Sequence, residues 1–222
     1  MLRDLIYRIG EVPLTLFLKI AFRFRVIGRE NIPKEMGVLL IARHRSYWDI
    51  PLMISALGGR NRIHFIARNA LLKNLFFHFF VKHYSVAIDR DNFTKEDFRK
   101  VIEGIRQNRI VAIFPEGTTL QSDQVRVGVI RFAEKTKHDF LPIRFECVGP
   151  YPPKYPFGFP KITAYIGRPF SLQELEERLT GEVSRKERYD HLAEVLMEQL
   201  DETGLQKPVP EKEKLLSAWI GL

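Results

Sequence analysis

Two short stretches of the chain bring together side chains able to move a proton. The first is Arg43-His44-Arg45-Ser46-Tyr47-Trp48-Asp49, directly after the apolar run Val38–Ala42. Imidazole titrates near neutral pH, and a carboxylate that receives its Nδ1–H fixes the tautomer that leaves Nε2 as a base. His44 and Asp49 are too far round a continuous helix to share a face, lying about 140° apart. They meet only if His44 lies in a turn and Asp49 in the first helical turn, which Ser46 as the cap would allow. The same residues admit a plainer arrangement, a Ser46–Asp49 capping box with His44 on the surface. The second stretch, Phe114-Pro115-Glu116-Gly117-Thr118, ends another apolar run. Pro115 stops ladder donation and Gly117 permits a tight turn or a close backbone approach, which holds Glu116 at a strand end. A third strand end carries Asp89-Arg90 after Val86-Ala87-Ile88, where a structural ion pair is the commoner arrangement.

Functional loops in α/β sheets lie beyond the carboxyl ends of the strands. The pattern predicts strands at Arg23–Ile27, Val38–Ala42, Ile63–Ala67, Ser85–Ile88, Ile110–Phe114, Phe140–Glu146 and Ile162–Ile166. It predicts helices at about Ser46–Leu57, Asn69–Val81, Thr94–Gln107, Val127–Lys135, Leu172–Leu179 and Ser184–Glu202. Thr94 with Asp97, and Ser184 with Glu187, read as capping boxes. Alternation of the two kinds argues for an α/β fold with a mostly parallel central sheet covered by helices. The stretch Leu71–Val81 is apolar almost all round, which suits deep core or an acyl-facing surface. Five prolines between Pro150 and Pro160, mixed with Tyr151, Tyr155, Phe157 and Phe159, read as a rigid extended connector or an aromatic rim.

The N-terminal residues Leu2–Phe24 are rich in Leu, Ile and Phe, yet their longest charge-free stretch runs only from Val12 to Leu18. A spanning helix needs about 20 apolar residues, and no small-residue cleavage site marks a signal peptide. The segment reads as an amphipathic helix, broken near Pro13, that either lies in a membrane interface or packs on the domain. The organisation expected is a membrane-interface segment at 1–22, an α/β domain at 23–204 and a tail at 205–222. With 222 residues and 45% hydrophobic content the chain can bury its own core, and a single cysteine, Cys147, excludes an internal disulfide framework. Residues 1–170 carry 28 basic and 15 acidic groups, and 171–222 carry 7 and 12. A basic body favours an anionic partner. No nucleic-acid-binding signature is present, and the basic residues are scattered among apolar strands rather than clustered.

Taken together, His44/Asp49 and Phe114–Thr118, in this order, resemble the glycerolipid acyltransferase family. Ile88-Asp89-Arg90 is similar to that family's arginine-bearing motif, and Leu141-Pro142-Ile143 to its late strand containing proline; the likeness spans roughly residues 20–170. Three departures stand out: Arg43 where the family often has Asn, Thr119 where it often has Arg, and Arg68-Asn69-Ala70-Leu71 where it often has a Lys-Lys-Glu-Leu-like stretch. The resemblance implies transfer of a fatty acyl group from acyl-CoA or acyl-carrier-protein to the free hydroxyl of 1-acylglycerol 3-phosphate. The product would be phosphatidic acid, in phospholipid biosynthesis. It implies His44 as general base, Asp49 as its orienter, and direct attack of the hydroxyl on the thioester. No Gly-x-Ser-x-Gly elbow offers a protein nucleophile. Substrate binding is implied at Glu116, Gly117 and Thr118, with Arg68, Arg90 and Arg126 as counter-charges for the phosphate, since guanidinium suits it. No metal or cofactor is implied. The expected partners are lysophosphatidic acid, an acyl thioester, an anionic membrane surface and acyl carrier protein. The expected location is the cytoplasmic face of the cell membrane, peripheral or monotopic. The alternatives are another lysolipid acceptor, a thioester or ester hydrolase, or a non-catalytic lipid-binding protein.

Overall fold

A computed structural model describes residues 2–73, 75–89, 92–116, 127–154, 158–179 and 185–205. Among the described residues seven strands form one sheet: β1 (Arg25–Ile27), β2 (Val38–Ile41), β3 (His64–Arg68), β4 (Ser85–Ile88), β5 (Ile110–Ile113), β6 (Asp139–Val148) and β7 (Lys161–Ile166), in the order β1-β7-β6-β2-β5-β3-β4. Every pairing between these strands is parallel except β6–β7. The sheet is mostly parallel, as the strand-helix alternation predicts.

β2 and β5 are apolar at every position and buried on both faces, as central parallel strands must be. Val38 and Leu40 point into one core layer with α1 (Leu2–Ala21) and α2 (Asp49–Leu57). Leu39 and Ile41 point into the other, with α4 (Lys95–Gln107), α5 (Gly128–Thr136), α6 (Leu172–Glu176) and α7 (Arg185–Glu202). β6 changes neighbour midway: its first residues pair with β2, and from Ile143 onward it pairs with β7. Pro142 lies at that changeover, where a residue without an N–H removes least from the ladders.

Three local expectations need correction. Helix α1 runs unbroken from Leu2 to Ala21 with Pro13 inside it. Tyr7 on one side of Pro13, and Leu18 and then Phe22 on the other, are buried in the same core layer, which holds both halves in register. Ser46 does not cap α2, which starts at Asp49 after Trp48, and no capping box forms there. The helix expected over Asn69–Val81 is a 3₁₀ turn at Asn69–Lys73 followed by α3 (Leu75–Tyr84). Val81 and Tyr84 of α3 are buried while Leu75 and Phe79 are exposed, so the element faces core on one side only.

The Thr94–Asp97 capping box is present, each side chain bonded to the other's backbone N–H. The Thr94 hydroxyl, which donates to Asp97 Oδ2 at 2.7 Å, and after it the Thr94 N–H hold the Asp97 carboxyl below its ordinary range. Ser184, and every residue of the expected tail except Leu205, lie outside the described residues.

Candidate active site

The carboxyl ends of four adjacent strands, β2, β5, β3 and β4, carry in turn His44, Glu116, Arg68 and Asp89. The parallel order thus gathers motifs far apart in sequence at one sheet edge. Asp49 organises the loop after β2. Its Oδ2 accepts the N–H of Arg45 at 2.7 Å and of Ser46 at 2.8 Å, folding the chain back over the start of α2. That fold brings His44 Nδ1 to 3.0 Å from the same oxygen. Ser46 Oγ accepts the Trp48 N–H at 3.2 Å instead of capping the helix.

Both partners are sheltered, with the side chain of His44 11% exposed and that of Asp49 1%. The imidazole lies flat on Phe114, with ring centroids 4.0 Å apart and planes at 15°. Asp49 Oδ1 accepts the hydroxyl of Tyr151, from the proline-rich loop after β6. Burial, and after it the Asp49 charge, push the Tyr151 phenol well above its ordinary value, so it stays a donor. Asp49 therefore holds three other donors and can receive His44 Nδ1–H as the fourth. That tautomer leaves Nε2 as the acceptor a general base needs.

Glu116 is buried, 6% exposed. Its Oε2 accepts the His44 N–H at 2.9 Å and its Oε1 accepts from Arg43 at 2.6 Å. Arg43 also bonds Asp201, near the end of α7, through two nitrogens. Asp201 first and Glu116 after it hold the Arg43 guanidinium protonated above its already high value. A cavity of about 260 Å³ opens beside the pair, lined by Arg45, Asp49, Arg144, Cys147, Tyr151 and Asp201 among others. Burial, with a smaller push from Asp49, raises the Cys147 thiol to about 11. Trp48 joins the loop to α1, stacking on Phe17 at 5.9 Å and lying 4.9 Å from Phe22. Phe159 of the proline-rich loop closes that cluster against Phe22 at 5.0 Å.

Of the residues expected at the site, His44, Asp49 and Glu116 come together, and Arg68 ends the strand beside β5. Arg90, Gly117, Thr118 and Arg126 lie outside the described residues. Sequence reasoning missed Tyr151 and Asp201. Tyr151 is legible only as one aromatic residue of the proline-rich stretch, whereas an Asp-Glu pair ending a helix is a readable oddity. Among the described residues no group of three His, Cys, Asp or Glu is placed to hold a metal.

The site thus sets a carboxylate-held histidine at the strand ends of a mostly parallel α/β sheet. A family model described as Acyltransferase matches residues 23–146. The chain belongs to this family and is an acyltransferase. It is 26% identical over 199 residues to a Bacillus subtilis 1-acyl-sn-glycerol-3-phosphate acyltransferase, across 88% of this chain and 96% of that one. It is 31% identical over 130 residues to a Borreliella burgdorferi protein of the same name, across 53% of this chain and 49% of the other. The crystal structure of the 1-acyl-sn-glycerophosphate (LPA) acyltransferase PlsC from Thermotoga maritima matches with a TM-score of 0.62 at 25% identity, across 90% of this chain and 82% of that one.

Proposed function

We propose that this acyltransferase moves a fatty acyl group from an acyl thioester to the free hydroxyl of 1-acylglycerol 3-phosphate, yielding phosphatidic acid for phospholipid synthesis. The observation that carries this reading is the His44–Asp49 contact, 3.0 Å long and sheltered from water, in a chain whose relatives bear that activity in their names. His44 Nε2 takes the hydroxyl proton as the oxygen attacks the thioester carbonyl. The carbon–sulfur bond then breaks, and the thiolate takes up the proton from the imidazolium. Asp49 stabilises that imidazolium. A base of this kind contributes about 10²–10⁴-fold. The scheme uses no metal or redox cofactor, and either acyl-CoA or acyl-carrier-protein serves as donor. Glu116, Gly117 and Thr118 are assigned to acceptor positioning, and Arg68, Arg90 and Arg126 to the acceptor's phosphate.

The acceptor and the product are lipids, and α1 offers the means to reach them. Among the described residues no helix is long and apolar enough to cross a membrane. Leu5, Ile9, Val12, Leu16 and Ile20 nevertheless form an exposed stripe on α1, with Ile20 72% exposed. Exposed Arg8 and Lys19 lie on the same helix. We assign this stripe to the interface of an anionic leaflet on the cytoplasmic face. The deciding experiment supplies the purified chain with lysophosphatidic acid and long-chain acyl-CoA or acyl-carrier-protein in mixed micelles, wild type beside His44→Ala. Phosphatidic acid from wild type alone is the expected result. Near-normal turnover by His44→Ala refutes the base assignment.

A further inference from the structure

The carboxyl end of α7 goes against a general electrostatic preference. The last turn of a helix exposes unpaired carbonyl groups and carries partial negative charge, which favours Lys, Arg or His there. Helix α7 ends instead on Asp201-Glu202, with no basic residue in its last turn. Such an end is unfavourable unless a cation meets it, and a broken local rule of this kind points to function. Arg43 is the cation that meets Asp201. Its Nε donates to Asp201 Oδ1 at 3.0 Å and its Nη2 to Oδ2 at 2.6 Å, while its Nη1 donates to Glu116 Oε1 at 2.6 Å. A planar guanidinium bound at three points cannot turn without breaking a contact, and a lysine ammonium would give no such fork. Glu116 Oε2 then accepts the backbone N–H of His44 at 2.9 Å. An unbroken run of charge-assisted hydrogen bonds thus joins α7 to the backbone of the base.

The support behind Asp201 is firm. Arg144 Nε donates to Thr203 O at 2.5 Å, tying the chain after α7 to β6. Gly204 has φ +76°, and a Cβ there would come within 2.4 Å of the Tyr165 ring on β7. At Gly167 a Cβ would lie 3.1 Å from Thr203. The end of α7 is therefore fitted closely onto the two strands beside it.

We propose that Asp201 is a positioning residue of the active site, acting through Arg43 to fix Glu116 and the backbone of His44. Asp201 lies beyond residues 23–146 that match the family, so the site is completed by a part of the chain outside that stretch. The inference rests on the acyl-transfer reading. Its test is steady-state kinetics of the full chain with lysophosphatidic acid and acyl-CoA. The variants are Asp201→Asn, Asp201→Glu, Arg43→Gln and the double Arg43→Gln/Asp201→Asn, each with its thermal unfolding curve. Misplacing a catalytic group by an ångström costs up to about a hundredfold, and for Asp201→Asn we expect kcat down about tenfold with the donor KM within about twofold. Asp201→Glu regains most of that loss, and the double variant is no slower than Arg43→Gln alone. Wild-type kcat in Asp201→Asn, additive losses in the double variant, or a lowered melting temperature with unchanged kcat overturns the proposal. Wild type that forms no product fails the acyl-transfer reading, and the proposal falls with it. A working wild type beside an unaffected Asp201→Asn fails the proposal alone.

Discussion

Two carboxylate oxygens on Asp49 serve four donors: two backbone N–H groups, an imidazole and a phenol. Asparagine at 49 keeps one acceptor oxygen and turns an NH₂ toward groups that are already donors. Asp49→Asn is therefore expected to lower kcat by about 10²–10⁴-fold. Tyr151→Phe keeps the ring and removes one donor from a buried carboxylate, a loss of about 1–3 kcal/mol. Thermal unfolding should register that loss, and a matching fall in kcat would show that the phenol also orients the pair. Cys147 lines the same cavity but lies outside the proposed chemistry, so Cys147→Ala should retain turnover. The folded thiol holds its proton more tightly than the ordinary thiol at 9.0, with its value near 11. Its contribution to stability is thus intact below about pH 9 and is lost as pH rises through about 11. Alkylation by iodoacetamide at pH 8 should be slower than for a free thiol and should keep rising past pH 9. The sequence made the His44–Asp49 pairing legible because five residues can close a loop at a strand end. That Tyr151 and Asp201 reach the pair was not legible, because each arrives from an element more than a hundred residues further along the chain.

All seven strands were legible as elements. Buried parallel strands are continuous apolar runs, and β2 and β5 carry no polar residue to blur them. Helix starts were less legible where tertiary contacts override local chemistry. Ser46 is a good capping residue, but Asp49 draws the N–H groups of the preceding loop to itself and moves the start of α2 to its own position. Proline at 13 is a helix breaker by local rules, yet burial on both sides of it carries α1 through. Gly104 shows the same contest in reverse. In the interior of α4 a glycine loses up to about 1 kcal/mol against alanine. A Cβ there would stand 2.4 Å from Cγ2 of Val86 on β4, and overpacking costs about 1–3 kcal/mol. Packing wins, so Gly104→Ala should lower the melting temperature despite better helix propensity. Val86→Ala added to it should recover part of the loss, and circular dichroism melts read both.

Over the whole molecule, charge and apolar surface both bear on where the enzyme works. Each large aliphatic side chain of the α1 stripe gains about 1.5–3 kcal/mol if fully buried. Each basic residue near an anionic surface adds about 1 kcal/mol. Apolar insertion should therefore dominate, with charge as the salt-sensitive remainder. Sedimentation with vesicles containing phosphatidylglycerol should show binding that weakens with salt without vanishing, and Ile9→Glu/Leu16→Glu should lose most of it. Binding that ignores both changes would remove α1 from this role. The sheet adds a consequence for how the chain is made. β1 lies at the sheet's edge with β7 as its neighbour, Arg25 opposite Thr163. Contacts so distant in sequence form late, because closing long loops is slow. During synthesis the residues of α1 leave the ribosome well before those of β7. The helix proposed to meet the lipid is thus available early, and the fold behind it closes only once β7 has been synthesised.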